Sequence, residues 1–252
     1  MKLDKKQLNV LDCTLRDGGY YNNWFFDDHV VKKYVGALNS SKIEYAEIGF
    51  RSLKKKSGLG PFSHATDNFL SKLNIVKNCK IAIMIDTKEV LDSNIGIKKT
   101  LNLLLKNKKK SPVSLVRFAT HFKDINKIKE IINITKKKGY LIAINLMQCG
   151  GKNKAEIENA IKILNNYKKF EILYFADSLG NMKPAEVTSI VNIIKKNCKY
   201  KIGIHSHNNQ GRAVQNSIAA IDNGVTWVDS TISGMGRGAG NAETEILLPE
   251  IK

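Results

Sequence analysis

Two short segments carry residues whose types and spacing could do chemistry. In LDCTLRDGGY (11–20), Arg16 and Asp17 follow directly on an apolar, strand-like run. In IHSHNN (204–209), His205 and His207 stand two residues apart at the end of another. Side chains alternate along a strand, so residues two apart share a side and both imidazoles can converge on one point. One carboxylate with two imidazoles and no thiolate suits Mn²⁺, Co²⁺ or Mg²⁺ better than structural zinc, and leaves coordination positions open for a substrate. Arg16 adds a fixed positive charge where an anion could develop. The combination reads as that of an enzyme handling enolates. Glu47, inside the apolar run YAEIGF (45–50), is costly to bury unpaired and needs a cationic partner such as Arg16. Asp12 and Asp229, also inside strand-like runs, read as interior hydrogen-bonding residues rather than ligands.

The elements that must position these residues recur regularly. Short apolar, β-branched runs lie at 9–14, 45–50, 80–85, 113–119, 140–146, 171–176, 201–206 and 225–232. Helical patterns separate them. DDHVVKKYVGAL opens with acidic residues and repeats Val31, Val35 and Leu38 on one face; DINKIKEIINITKKKG repeats isoleucines and stops on lysines and a glycine. Near-continuous apolar strands alternating with helices predict a parallel sheet covered on both faces. Eight such repeats favour a closed (β/α)8 barrel, a TIM barrel, over an open doubly wound sheet. Closure also gathers the polar strand ends at one mouth, where an open sheet would scatter them. One catalytic domain, 1–252, is expected. The segment 51–68 is a long loop after the second strand, placed to cover the mouth as a lid or substrate loop. Few residues follow the eighth strand, so a short last helix is expected, and the full gene product is expected to continue.

Composition narrows the partners. The net charge of +18 comes from 41 basic and 23 acidic residues, but the lysines are scattered in clusters such as 54–56, 108–110 and 136–138. No aromatic residues interleave with them, so a nucleic-acid stacking platform is not expected. No apolar run approaches the ~20 residues of a membrane span, and the polar lead MKLDKKQ runs straight into a strand without a signal peptide. The four cysteines are widely spaced, with no CxxC pair, and read as reduced structural thiols of a cytoplasmic protein. A homo-oligomer, by default a dimer, is expected.

Several motifs in register resemble one family. TLRDG (14–18), AEIGF (46–50), VRFATH (116–121), ADSLG (176–180), IHSHNN and ISGMGRGAGNAETE (232–245) are similar, in this order, to segments of the metal-dependent aldolase, lyase and synthase superfamily with an Asp-Arg-Glu signature on a barrel. Within it the chain looks most like the 4-hydroxy-2-oxovalerate aldolases, and the resemblance covers essentially the whole chain. It implies a divalent-metal aldolase that makes or breaks a C–C bond through a pyruvate-type enolate. It implies Asp17, His205 and His207 as ligands of Mn²⁺ or Mg²⁺, with Asn241 as a fourth ligand or neighbour. It further implies that Arg16 stabilises the enolate oxygen, that Glu47 holds Arg16, and that Ser178 touches the substrate carboxylate. The substrates would be a 2-oxo acid and an aldehyde.

The pattern breaks just after Asp17. Those aldolases carry an acid/base histidine three residues further on, where this chain has Tyr20; the synthases carry a glutamate and glutamine that are also missing. An unperturbed tyrosine, with a pKa of about 10, is a poor base at neutral pH. Tyr20 is therefore either the replacement acid/base or a wall of a reshaped pocket. His121, ending a strand, and His64, on the long loop, are further candidates. The C-terminal helical region with which the aldolases dock a partner dehydrogenase has no counterpart here, which favours a non-volatile aldehyde, sugar-like or phosphorylated. Two other readings stay open: a Claisen-type synthase using acetyl-CoA, and a catalytically silent binding barrel.

Overall fold

The computed structural model describes residues 8–41, 43–75 and 78–251; the polar lead at 1–7 lies outside them. Each of the eight apolar runs forms a strand: β1 (Asn9–Asp12), β2 (Tyr45–Phe50), β3 (Lys80–Asp86), β4 (Val113–Thr120), β5 (Leu141–Leu146), β6 (Ile172–Asp177), β7 (Lys201–Ser206) and β8 (Trp227–Ser230). They pair in parallel in chain order, and β8 pairs with β1, closing the barrel. This is the expected (β/α)8 architecture. Helices such as Asp28–Ser40, Lys129–Lys137, Lys154–Asn165, Pro184–Asn197 and Ala213–Asp222 cover the outside. The last one, Thr244–Ile251, is short.

Strand alternation divides the side chains into two sets. Those pointing outward, such as Ile48, Ile83, Val116, Ile144, Phe175 and Ile204, join the helices in the main hydrophobic core. Those pointing inward at the lower end form a separate apolar plug: Leu11, Tyr45, Leu115, Ala143, Ile172 and Trp227, with the Tyr45 and Trp227 rings 4.7 Å apart. One step up each strand the interior becomes charged, with Glu47, Arg117 and Asp229 all at most 1 % exposed. The next step opens at the mouth.

The first strand stops earlier than its apolar run. The Asp12 carboxylate accepts hydrogen bonds from Thr14 N and Thr14 Oγ1, each 2.9 Å, and from Tyr34 Oη at 2.6 Å. This local bonding turns the chain out of the strand, as aspartates do at turns. Thr14–Asp17 then makes one helical turn and Gly18–Tyr21 a 3₁₀ turn. The loop after β2 is also less free than a lid. Ala65 N donates to Phe50 O at 2.8 Å, and Arg51 Nη2 pairs with Asp67 Oδ1 at 2.8 Å. No described helix is long and apolar enough to cross a membrane. The four cysteines are unpaired.

Candidate active site at the barrel mouth

The turn after β1 places Arg16 and Asp17 over the barrel axis. Trp24 Nε1 donates to Arg16 O at 2.8 Å and holds the turn from behind. Only glycine fits beneath that indole: a Cβ on Gly19 would stand 2.1 Å from the Trp24 ring. Asp17, His205 and His207 are all buried, and their ligand atoms lie within 4.8 Å of one another. His205 Nε2 is 3.8 Å from Asp17 Oδ2.

Both imidazoles are oriented from behind. His205 Nδ1 is 2.8 Å from Asp229 Oδ2, and His207 Nδ1 is 3.2 Å from Gly240 O. A carbonyl only accepts, and Asp229 is held ionised: burial opposes its charge, but Arg117 and then His205 outweigh that and lower its pKa. Both Nδ1 atoms therefore carry hydrogen, which leaves Nε2 as the atom each ring can offer to a cation. Burial, with His205 beside it, pushes the His207 pKa down to about 4, so it is neutral at physiological pH. Burial would raise the Asp17 pKa, yet the Arg16 guanidinium beside it holds the carboxyl well below its usual range. An ionised Asp17 beside a neutral His207 suits a cation.

Asn241 completes the set. Its Nδ2 donates to Asp17 Oδ2 at 2.5 Å, while its Oδ1 is buried without a hydrogen-bond partner among the described residues. A Cβ on Gly236 would come within 2.5 Å of Asn241 Nδ2 and 2.9 Å of Asp17 Oδ2, so a glycine keeps this cradle open. The orphaned oxygen, the two aimed Nε2 atoms and the ionised Asp17 fit a divalent cation.

A charged chain runs beneath this set. Arg16 contacts Asp17 through Nη1 and Glu47 Oε1 through Nε at 2.6 Å. Glu47 Oε2 lies 3.2 Å from Arg117 Nη1, Arg117 Nη2 lies 2.6 Å from Asp229 Oδ2, and Asp229 returns to His205. The Arg117 guanidinium also sits 4.2 Å above the centre of the Tyr174 ring. The expected Arg16–Glu47 pair is present. Arg117 was not singled out from the sequence; its signal was a lone cation inside VSLVRFA, two residues after inward-facing Leu115. Asp12 and Asp229 are interior hydrogen-bonding residues, as expected, and Asp229 also orients His205.

Above the chain lies a cavity of about 180 Å³ lined by Arg16, Asp17, Tyr20, Ser178, His205, His207 and Arg237, among others. Arg16 Nη2 is buried with no partner among the described residues, a donor left for something in the cavity. Ser178 is in place; its Oγ accepts from Gln148 N at 2.9 Å. Arg237 Nη2 donates to Ser178 O at 2.5 Å, bringing a second guanidinium to the rim that sequence reading passed over. Tyr20 stands edge-on to Trp24 and Phe50, with ring centres 4.7 and 6.3 Å away. Burial raises its pKa despite nearby Arg16, so it is a proton donor at neutral pH and not a base. His121 does not line this cavity. Ala119 does, and His121 begins the turn Phe122–Lys127 beyond it. His64 faces a different hollow beside Arg51 and Leu104, with Nδ1 3.2 Å from Ser52 Oγ.

The fold and site thus define a (β/α)8 barrel with a carboxylate–bis-imidazole set and a poised arginine at its mouth. The family model described as HMGL-like matches residues 7–252. The chain belongs to the HMGL-like family. It is 29% identical over 249 residues to 4-hydroxy-2-oxovalerate aldolase of Pelotomaculum thermopropionicum, covering 98% of this chain and 70% of the relative. It is 25% identical to oxaloacetate decarboxylase of Mycobacterium tuberculosis, covering 96% and 69%. Among solved structures, the N-terminal domain of a Bacteroides vulgatus protein provisionally assigned as an aldolase superposes with a TM-score of 0.81 at 33% identity, covering 97% of this chain and 79% of that one. An HMG-CoA lyase from Bacillus subtilis, with a TM-score of 0.78 at 15% identity over 97% and 85% of the two chains, shares the fold.

Proposed function

We propose that this barrel joins a pyruvate-type 2-oxo acid to an aldehyde, or cleaves the corresponding 4-hydroxy-2-oxo acid, through an enolate held at the mouth. That it is a carbon–carbon lyase of aldolase type follows from its family and its relatives. The observation that carries the enolate reading is Arg16, which lines the mouth cavity beside the Asp17–His205–His207 cluster and whose Nη2 has no partner among the described residues. Asp17, His205 and His207, with Asn241 beside them, would hold Mn²⁺ or Mg²⁺, which as a Lewis acid polarises a 2-oxo group and lowers the cost of forming its enolate.

The chain's own residues supply the rest. Arg16 donates to the enolate oxygen and is fixed by Glu47, so little reorganisation accompanies charge development. Ser178 and the Arg237 guanidinium at the rim receive the substrate carboxylate. In the synthetic direction the enolate carbon bonds to the aldehyde carbon, and the aldehyde oxygen takes up a proton. Tyr20, protonated at neutral pH, is the group at the mouth that can give it. The same enolate arises when a 2-oxo diacid loses CO₂, and that route needs no base on a substrate hydroxyl. The departure at Tyr20 favours keeping this second reading, oxaloacetate turnover, beside the first. We further propose a cytoplasmic homodimer, to be checked by light scattering of the purified protein.

The test is hydrogen exchange of pyruvate in D₂O, followed by loss of the methyl NMR signal with Mn²⁺ or Mg²⁺ present. Exchange that needs the cation and is lost in Arg16→Ala is the expected result. Exchange that persists without the cation or without Arg16 would overturn the reading.

A further inference from the structure

The mouth cavity does not end at Tyr20. Tyr20, Phe50 and Asp86 line it and also line a second hollow of about 250 Å³ that runs outward between the loop after β2 and the start of the helix after β3. The two are therefore neighbouring chambers, with the Tyr20 ring between them. Room for a chain of several carbons lies beyond the point where the aldehyde carbon must sit.

The walls of this arm differ in character. Trp24 and Leu59 present an apolar side. Ser52, Ser63, Asp86 and Glu89 supply polar lining. Asp86 uses Oδ1 to cap Lys88 N at 2.9 Å, and Glu89 uses Oε1 to accept from Leu53 N at 2.7 Å. Each is thereby held in place, and among the described residues the second oxygen of each makes no hydrogen bond. Asp86 is exposed and Glu89 half-buried, so a ligand that displaces water from the arm is favoured when it brings donors to these acceptor oxygens. An aliphatic aldehyde brings none.

Charge separates the remaining classes. Arg51 lines the arm, but its guanidinium is already bound to Ala65 O at 2.5 Å, Leu104 O at 2.9 Å and Asp67 Oδ1 at 2.8 Å. Lys56, exposed, is the other cation lining the arm, against two carboxylates. A phosphate there would face like charge without a preformed clamp.

We propose that this arm is the electrophile subsite and that it selects a neutral, polyhydroxylated aldehyde of the sugar type, its hydroxyls donating to Asp86 and Glu89 and its carbon face lying on Trp24. The assignment rests on the enolate reading above. The reaction balances as a simple addition. Pyruvate gives up one methyl proton, its carbon bonds to the aldehyde carbon, the carbonyl π pair becomes an alkoxide, and that oxygen takes up one proton.

The experiment uses the intact chain with Mn²⁺ and pyruvate. Exchange in D₂O without aldehyde comes first, and then addition to three four-carbon aldehydes: erythrose, butanal and erythrose 4-phosphate. The readout is kcat/KM for the hydroxy-oxo acid formed. Erythrose is expected to exceed butanal by at least about 10-fold, since unpaired site groups penalise an analogue lacking hydroxyls. Erythrose 4-phosphate is expected not to exceed erythrose. Glu89→Gln keeps an acceptor for Leu53 N, and should lower the erythrose-to-butanal ratio about 10-fold, the scale of one charged hydrogen bond. Exchange accompanied by equal use of butanal, by preference for the phosphate, or by an unchanged ratio in Glu89→Gln would overturn the arm assignment alone. Absence of exchange and of all addition would overturn the enolate reading and the proposal with it.

Discussion

Replacing Arg117 by methionine tests whether the charged layer inside the barrel is held together as its geometry indicates. The guanidinium is fully buried and faces two buried carboxylates, Glu47 at 3.2 Å and Asp229 at 2.6 Å. At an effective dielectric of about 20, a unit pair ~4 Å apart is worth roughly 4 kcal/mol. Both carboxylates keep one partner after the change, Glu47 in Arg16 and Asp229 in His205, so the loss is not the sum of two such pairs. Breaking a buried pair from one side costs about 3–5 kcal/mol, and that is the expected loss at pH 7. It is a large fraction of the ~5–15 kcal/mol that holds a domain folded. The assay is urea unfolding of the wild type and Arg117→Met at pH 7 and again near pH 5. Because the uncompensated carboxylates can relieve themselves by taking up a proton, the difference should shrink at the lower pH. A loss below about 1 kcal/mol, or one that grows on acidification, would refute the reasoning.

Three further outcomes follow from the same geometry. Burial raises the Asp12 pKa from 3.8 to about 6 in the folded state, so protonation of Asp12 stabilises the fold. That contribution is complete below the unfolded value and is lost as pH rises through about 6, on the order of 3 kcal/mol; Asp12→Asn should flatten wild-type stability across this window in pH-resolved thermal melts. Gly236→Ala drives a methyl against Asn241 and Asp17, and Mn²⁺ affinity measured by calorimetry should fall about 10–100-fold; unchanged affinity would remove the cradle argument. Tyr20→Phe should reduce aldehyde addition about 100-fold if the phenol is the proton donor, and rates within threefold of wild type would leave Tyr20 as a wall.

The barrel was legible because every strand is a β-branched run buried on both faces, a pattern that requires no knowledge of partners. The Asp17–His205–His207 cluster was legible for a related reason, since His205 lies near the end of β7 and His207 just past it, and extended backbone keeps residues two apart on one side. Arg117 obeys the same alternation but went unremarked, because one cation in VSLVRFA acquires meaning only when Glu47 and Asp229 are brought across the barrel to meet it. His121 illustrates the converse. It sits at a strand end in sequence, yet β4 stops at Thr120, the mouth cavity is lined by Ala119, and His121 leads into the turn Phe122–Lys127. The side arm was beyond reach from sequence, since it exists only where the loop after β2 meets the end of β3.

The buried chain also carries an arithmetic of charge. Arg16 and Arg117 bring two positive charges, Asp17, Glu47 and Asp229 bring three negative ones, and a neutral His207 adds none. With His205 neutral when it holds a cation, the five ions leave a net charge of −1 beneath the mouth. A divalent cation reverses that sign to +1 and adds to the pull that Arg237 exerts at the rim on an anionic 2-oxo acid. The site's affinity for the acid is thus tied to the cation by charges most of which, Glu47, Arg117 and Asp229, lie below the cavity.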